Sequence, residues 1–166
     1  MKKLVALAPL LLSACHTLPP QMAPAPPVAL VQNLPPEVRH DVAPQWYDAN
    51  GDLRWPPNDG FARAPVAVVL PPGMLLDRFG SPNGRFFSPQ GAPYAGRALP
   101  YACEAQAYTV YKVDRPLTAA SGTAAPWFGT RGGAIQYETH DTAAQMVAGR
   151  TLETLRDPGP PPCDED

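Results

Sequence analysis

Arginine and aromatic residues crowd one stretch of the chain. Arg78 precedes Phe79, Arg85 precedes Phe86 and Phe87, and Tyr94 stands ahead of Arg97, all punctuated by glycine and proline. A guanidinium grips phosphate through a planar fork, and an aromatic face stacks on a flat heterocycle. The set suits a nucleotide or dinucleotide, although surface arginines beside core aromatics would leave the same trace. A second candidate is Gln136, which follows the flexible pair Gly132-Gly133 and sits in the β-prone run Ile135 to Thr139. Its amide offers a donor and an acceptor without titrating. Strand alternation puts Gln136 and Glu138 on one face, Ile135 and Tyr137 on the other. Serine nucleophile elbows, Walker loops and dinucleotide fingerprints do not occur. His140 is the single histidine in the expected globular region, which weakens any nucleophile–histidine triad. His16, His40 and His140 lack ligand spacing to a cysteine, so no metal site is expected.

The cysteines divide between two roles. Lys2-Lys3 and the apolar run Leu4 to Leu12 form the basic and apolar parts of a signal peptide, too short to span a membrane as a helix. Leu12-Ser13-Ala14-Cys15 resembles a bacterial lipobox, so residues 1–14 are expected to be removed and Cys15 lipidated. Several acyl chains make such a membrane anchor stable. His16 rather than aspartate then follows the lipid, which points to the outer membrane or cell surface of the envelope. Cys103 and Cys163 remain, in a compartment where disulfides persist, and are expected to pair.

The elements that must position these groups are short. With 24 prolines and 13 glycines in 166 residues, a helical bundle is nearly excluded, since an interior proline costs about 3 kcal/mol. Residues 16–44 hold eight prolines and no glycine, and 15–45 reads as the lipidated cysteine and a semi-rigid polyproline stalk. A globular domain is expected over 46–166. Asp48 to Asp52 reads as a turn; a calcium loop fails because Leu53 stands where its glycine belongs. Strands are expected over 64–70, 74–79, 85–88, 107–113, 135–139 and 151–155. One short helix is expected over 141–149, with Asp141 as N-cap and Gly149 as the stop. The fold class is mainly β (α+β), a small compact β-rich domain with one or two short helices. The net charge is −2, and without Lys2 and Lys3 the basic residues number 11 against 15 acidic, which argues against nucleic acid as a partner.

Seven segments in order carry a resemblance. They are Trp55-Pro56-Pro57-Asn58-Asp59-Gly60-Phe61, Leu75-Leu76-Asp77-Arg78-Phe79-Gly80, Gly84-Arg85-Phe86-Phe87-Ser88-Pro89, Arg97-Ala98-Leu99-Pro100, Tyr108-Thr109-Val110-Tyr111, Pro126-Trp127-Phe128-Gly129 and Gly132-Gly133-Ala134-Ile135-Gln136-Tyr137. Over roughly residues 46 to 156 the chain resembles the tuberculosis necrotizing toxin domain, a family of NAD glycohydrolases. The resemblance implies a β-rich domain that splits NAD or NADP into nicotinamide and an ADP-ribose product. NAD(P) is then substrate and no cofactor is needed; an immunity protein is the implied protein partner.

Residue by residue, the resemblance makes Arg78 a catalytic phosphate or ribose contact and Gln136 the catalytic glutamine. It makes Phe86 the candidate stacking face, and Arg85, Phe87 and Tyr94 join it as substrate-binding candidates by residue type. The resemblance also leads one to expect a histidine in the Tyr108–Tyr111 strand, where this chain has Thr109. Two other readings stay open. Gln136-Tyr137-Glu138 forms the Gln-x-Glu pattern with which some ADP-ribosyltransferases orient an acceptor. An envelope lipoprotein that binds a nucleotide or a partner without catalysis is the other.

Overall fold

Val66-Ala67-Val68-Val69-Leu70 forms β1 (Val66–Leu70), as its β-branched content predicts. The computed structural model describes residues 37–163, so the signal segment, Cys15 and most of the proline-rich stretch lie outside the described residues. Further strands are β2 (Leu75–Phe79), β3 (Phe86–Pro89), β4 (Tyr108–Val113), β5 (Leu117–Thr123), β6 (Ile135–Glu138) and β7 (Leu152–Thr154). They make one antiparallel seven-stranded sheet in the order β1-β5-β6-β3-β2-β4-β7. One helix, α1 (Ala143–Ala148), and several 3-10 turns complete a small β-rich domain. Among the described residues no helix is long and apolar enough to cross a membrane.

The sequence predicts no strand at β5, and its Leu-Thr-Ala-Ala-Ser-Gly-Thr composition explains why. Tertiary pairing on both sides, to β1 and β6, overrides that weak propensity. Gly122 has a packing reason: a Cβ there would lie 2.8 Å from the buried Phe61 ring. The helix ends also differ from expectation. Thr142, not Asp141, is the N-cap, in a capping box with Gln145. At the other end Arg150, not Gly149, takes the left-handed position (φ 56°). Its N–H reaches Val147 O and that of Thr151 reaches Met146 O, a Schellman closure with arginine where glycine is usual.

One sheet face packs on α1, with Leu76, Phe87, Tyr111, Tyr137 and Met146 at its centre. The other face carries Phe79 and Tyr108 and is covered by Tyr94 and Leu99. There the Cys103–Cys163 disulfide joins residues 60 apart, and Tyr94 N–H donates to Pro162 O (3.1 Å), so the C-terminal tail docks against this wall. The domain includes residues ahead of the expected start at Trp46. Val38 bridges Tyr101, Val42 is buried, and the Arg39 guanidinium donates to Phe128 O (2.6 Å) and Leu99 O (3.2 Å). The 48–52 segment is the expected turn, with the Asp48 carboxylate accepting from Asn50 and Asp52 N–H.

Candidate active site

The β2–β3 hairpin closes through residues 80–85, and a cavity of about 850 Å3 wraps its tip. That is within the roughly 300–1,000 Å3 typical of small-ligand sites. Strand register assigns its two walls. Arg78 lies opposite Thr109, and with Phe87 and Tyr111 it belongs to the helix-facing side. Phe86 pairs with Glu138, so Gln136, two residues away, shares the opposite side with Phe86 and Phe79. The cavity touches both Arg78 and Gln136 because it passes around the hairpin tip.

The three arginines of the sequence motif have three different fates. Arg97 is 9% exposed; its Nη1 is 2.6 Å from Asp77 Oδ1, while Nε and Nη2 donate to Ala92 O. Asp77 also accepts from Tyr108 Oη (2.9 Å) and Gly91 N–H (2.8 Å), so this charge is consumed inside the wall it braces. Burial and the neighbouring Asp77 push the Tyr108 phenol up to about 12. Arg85 pairs with Glu138 at 2.9 Å and does not line the cavity.

Arg78 is the exception. It is also 9% exposed, yet no carboxylate of the described residues lies within ion-pair distance. Nη1 donates to Phe86 O (3.3 Å), and Nε is buried without a partner among the described residues. Burial lowers its pKa from the usual arginine range. The guanidinium lies under the hairpin turn, where a Cβ on Gly84 would overlap it. Phe87 supports it from below, with Cζ 5.7 Å from the ring centroid. A buried cation that finds no carboxylate among the described residues and stands at a cavity wall is suited to an anionic ligand.

The aromatic candidates also separate. Phe86 is 38% exposed and faces the cavity, whereas Phe87 is 2% exposed and packs in the helix-side core. Tyr94 is buried behind Phe79 (centroids 4.7 Å apart), its hydroxyl donating to Tyr101 O, and it does not line the cavity. Its hydroxyl pKa is raised, chiefly by burial. Trp55, Tyr101 and Leu99 line the cavity although residue types alone did not single them out. Phe79, one of the aromatic residues named from the sequence, shares the face of Phe86 through the β2–β3 register.

An antiparallel β domain thus brings a buried arginine, an aromatic face and a polar amide around one cavity. The family model for tuberculosis necrotizing toxin matches residues 69–155, and the chain belongs to that family. The conidial surface nicotinamide adenine dinucleotide glycohydrolase nadA of Aspergillus fumigatus is 37% identical over 128 residues, 69% of this chain and 53% of that protein. The chain thus spans about half the length of the curated relative it matches. The structure of tuberculosis necrotizing toxin complexed with its immunity factor superposes with a TM-score of 0.52 at 21% identity, over 64% of this chain and 65% of that one. This likeness extends to the fold.

Proposed function

We propose that the protein is an NAD(P)+ glycohydrolase that hydrolyses the bond between nicotinamide and ribose. The observation that carries the reading is Arg78, a buried cation with no carboxylate partner among the described residues, on a cavity that also presents Phe86 and Gln136. Family membership and the identity to a NAD glycohydrolase support the same choice of ligand. In this reading Arg78 holds the pyrophosphate, Phe86 offers a face to a flat ring, and Gln136 steadies the reacting ribose. Nicotinamide leaves with the electron pair of the C1′–N bond, water oxygen bonds to C1′, and a proton passes to solvent. NAD(P) enters as substrate, and no cofactor takes part. The transition state gains positive charge on the ribose, which oriented polar groups stabilise.

Glu138 is held by Arg85 and lies off the cavity, which counts against an acceptor-orienting role and an ADP-ribosyltransferase. Thr109 opposite Arg78, in the strand where the resemblance leads one to expect histidine, favours a second reading: a protein that binds NAD without turning it over. Incubating the purified protein with NAD+ or NADP+ separates them. Equal release of nicotinamide and ADP-ribose product is expected; saturable binding without release would establish the second reading.

Anchoring in the bacterial envelope through Cys15 belongs to the same proposal, and the lipobox residues support it. Cys15→Ala should lose metabolic fatty-acid label. A cognate immunity protein is the proposed protein partner, by analogy with the toxin solved with its immunity factor.

A further inference from the structure

We infer that the turn Asn58-Asp59-Gly60 fixes the Gln136 amide so that its oxygen, Oε1, is the atom offered to the substrate. This deepens the glycohydrolase reading and rests on it. Three consecutive residues take left-handed backbone: Asn58 (φ 54°), Asp59 (φ 52°) and Gly60 (φ 81°). Asparagine, aspartate and glycine tolerate that conformation best, which explains these residue types in the Trp55–Phe61 motif. The turn is anchored on both sides. Ala125 N–H donates to Gly60 O (2.7 Å), Ala62 N–H donates to Thr123 O (2.9 Å), and Phe61 is buried over Gly122.

The result is a fixed carbonyl at Asp59, which accepts from Gln136 Nε2 at 2.9 Å. The amide lies against Gly60, where a Cβ would be 3.6 Å from Nε2 and 3.7 Å from Oε1. Reversing the amide would set Oε1 against the Asp59 carbonyl, two acceptors with no hydrogen between them. One Nε2 hydrogen is therefore committed to the turn, and Oε1 is left to accept from an O–H beside the reacting carbon. That O–H belongs either to the attacking water or to a ribose hydroxyl. Asp59 and Gly60 are positioning residues in this scheme.

The test measures nicotinamide release from NAD+ by wild type, Gln136→Glu and Gln136→Met between about pH 8 and about pH 3.5, spanning the range in which a glutamate side chain gains its proton. As a carboxylate, Gln136→Glu sets a negative oxygen against Asp59 O, and turnover should fall about 100-fold. Once protonated it can donate to Asp59 O and still offer an acceptor. Its rate relative to wild type should then rise by about an order of magnitude, while Gln136→Met stays flat. Loss in kcat for Gln136→Met assigns the O–H to water, and loss in KM assigns it to the ribose. Gly60→Ala, which forces a side chain into φ 81°, should impair the same parameter as Gln136→Met. It serves as the second variant if Gln136→Glu does not fold. An active wild type with no acid recovery of folded Gln136→Glu, or an unimpaired Gly60→Ala, overturns the inference. An inactive wild type overturns the glycohydrolase reading itself.

Discussion

Replacing Arg78 with methionine should weaken function and leave stability intact, an unusual pairing for a residue this buried. Methionine fills a long, narrow space without charge. The folded state loses one hydrogen bond to Phe86 O, worth about 1.5–3 kcal/mol for a charged donor. It also sheds the desolvation cost of a cation with no carboxylate partner among the described residues, which is of order several kcal/mol. These terms oppose each other, so Arg78→Met should unfold within about 1 kcal/mol of wild type, or above it. The substrate loses a charge-assisted contact of about 1.5–3 kcal/mol, or roughly 10- to 150-fold in kcat/KM. Arg78→Lys should fall between the two, because an ammonium lacks the planar fork. Urea unfolding and nicotinamide release on the same preparations decide the matter. A stability loss of about 3–5 kcal/mol in Arg78→Met would mean that a buried ion pair had been broken, and would refute an uncompensated cation.

Gly84→Ala should displace the Arg78 guanidinium and lower kcat/KM as Arg78→Met does, with little change in urea midpoint, because the clash falls on a flexible side-chain end. Removing the Cys103–Cys163 bridge by Cys163→Ser should cost roughly 4 kcal/mol by the chain-entropy relation for a loop of this length, and wild type should lose as much in reductant. Tyr108 is neutral in the fold, with its pKa raised to about 12 by burial and Asp77. Its stabilisation is complete below the ordinary tyrosine value of about 10 and is lost as pH rises through about 12. Urea midpoints should hold to about pH 9 and then decline, less steeply in Tyr108→Phe, which should lose about 1 kcal/mol at neutral pH.

What the sequence made legible follows from where local preference and tertiary packing agree. Tyr108 to Val113 alternates β-formers and is a strand paired on both sides, to β2 and β7. Leu117 to Thr123 has little strand preference of its own and becomes one between two partners, which no local pattern reveals. Arg150 takes a glycine's position at the helix end because two backbone hydrogen bonds close around it. In the site, residue types and the family resemblance singled out Arg78, Phe86 and Gln136, and all three line one cavity. Residue type could not separate Arg78 from Arg85 and Arg97. The distinction lies in which arginine finds a carboxylate, and both partners, Glu138 and Asp77, are set by strand register and loop path. Tyr94 stood in the right neighbourhood of the sequence and turned inward, into the support behind Phe79.

The strand order also governs when the site can exist during folding. Val66 must find Ser121 and Phe87 must find Tyr137, while the bond between Asp59 and Gln136 closes a separation of 77 residues. Contacts so distant along the chain carry a large loop-closure cost before they return any stabilisation, and they slow folding. β6, which carries Gln136, is held on one side by β5 and on the other by β3, so it cannot settle until both neighbours have arrived. A nascent or partly folded chain can form the β2–β3 hairpin that bears Arg78 and still lack an oriented glutamine. Assembly of the cavity that joins Arg78 and Gln136 is thus expected late in folding, together with closure of the whole sheet.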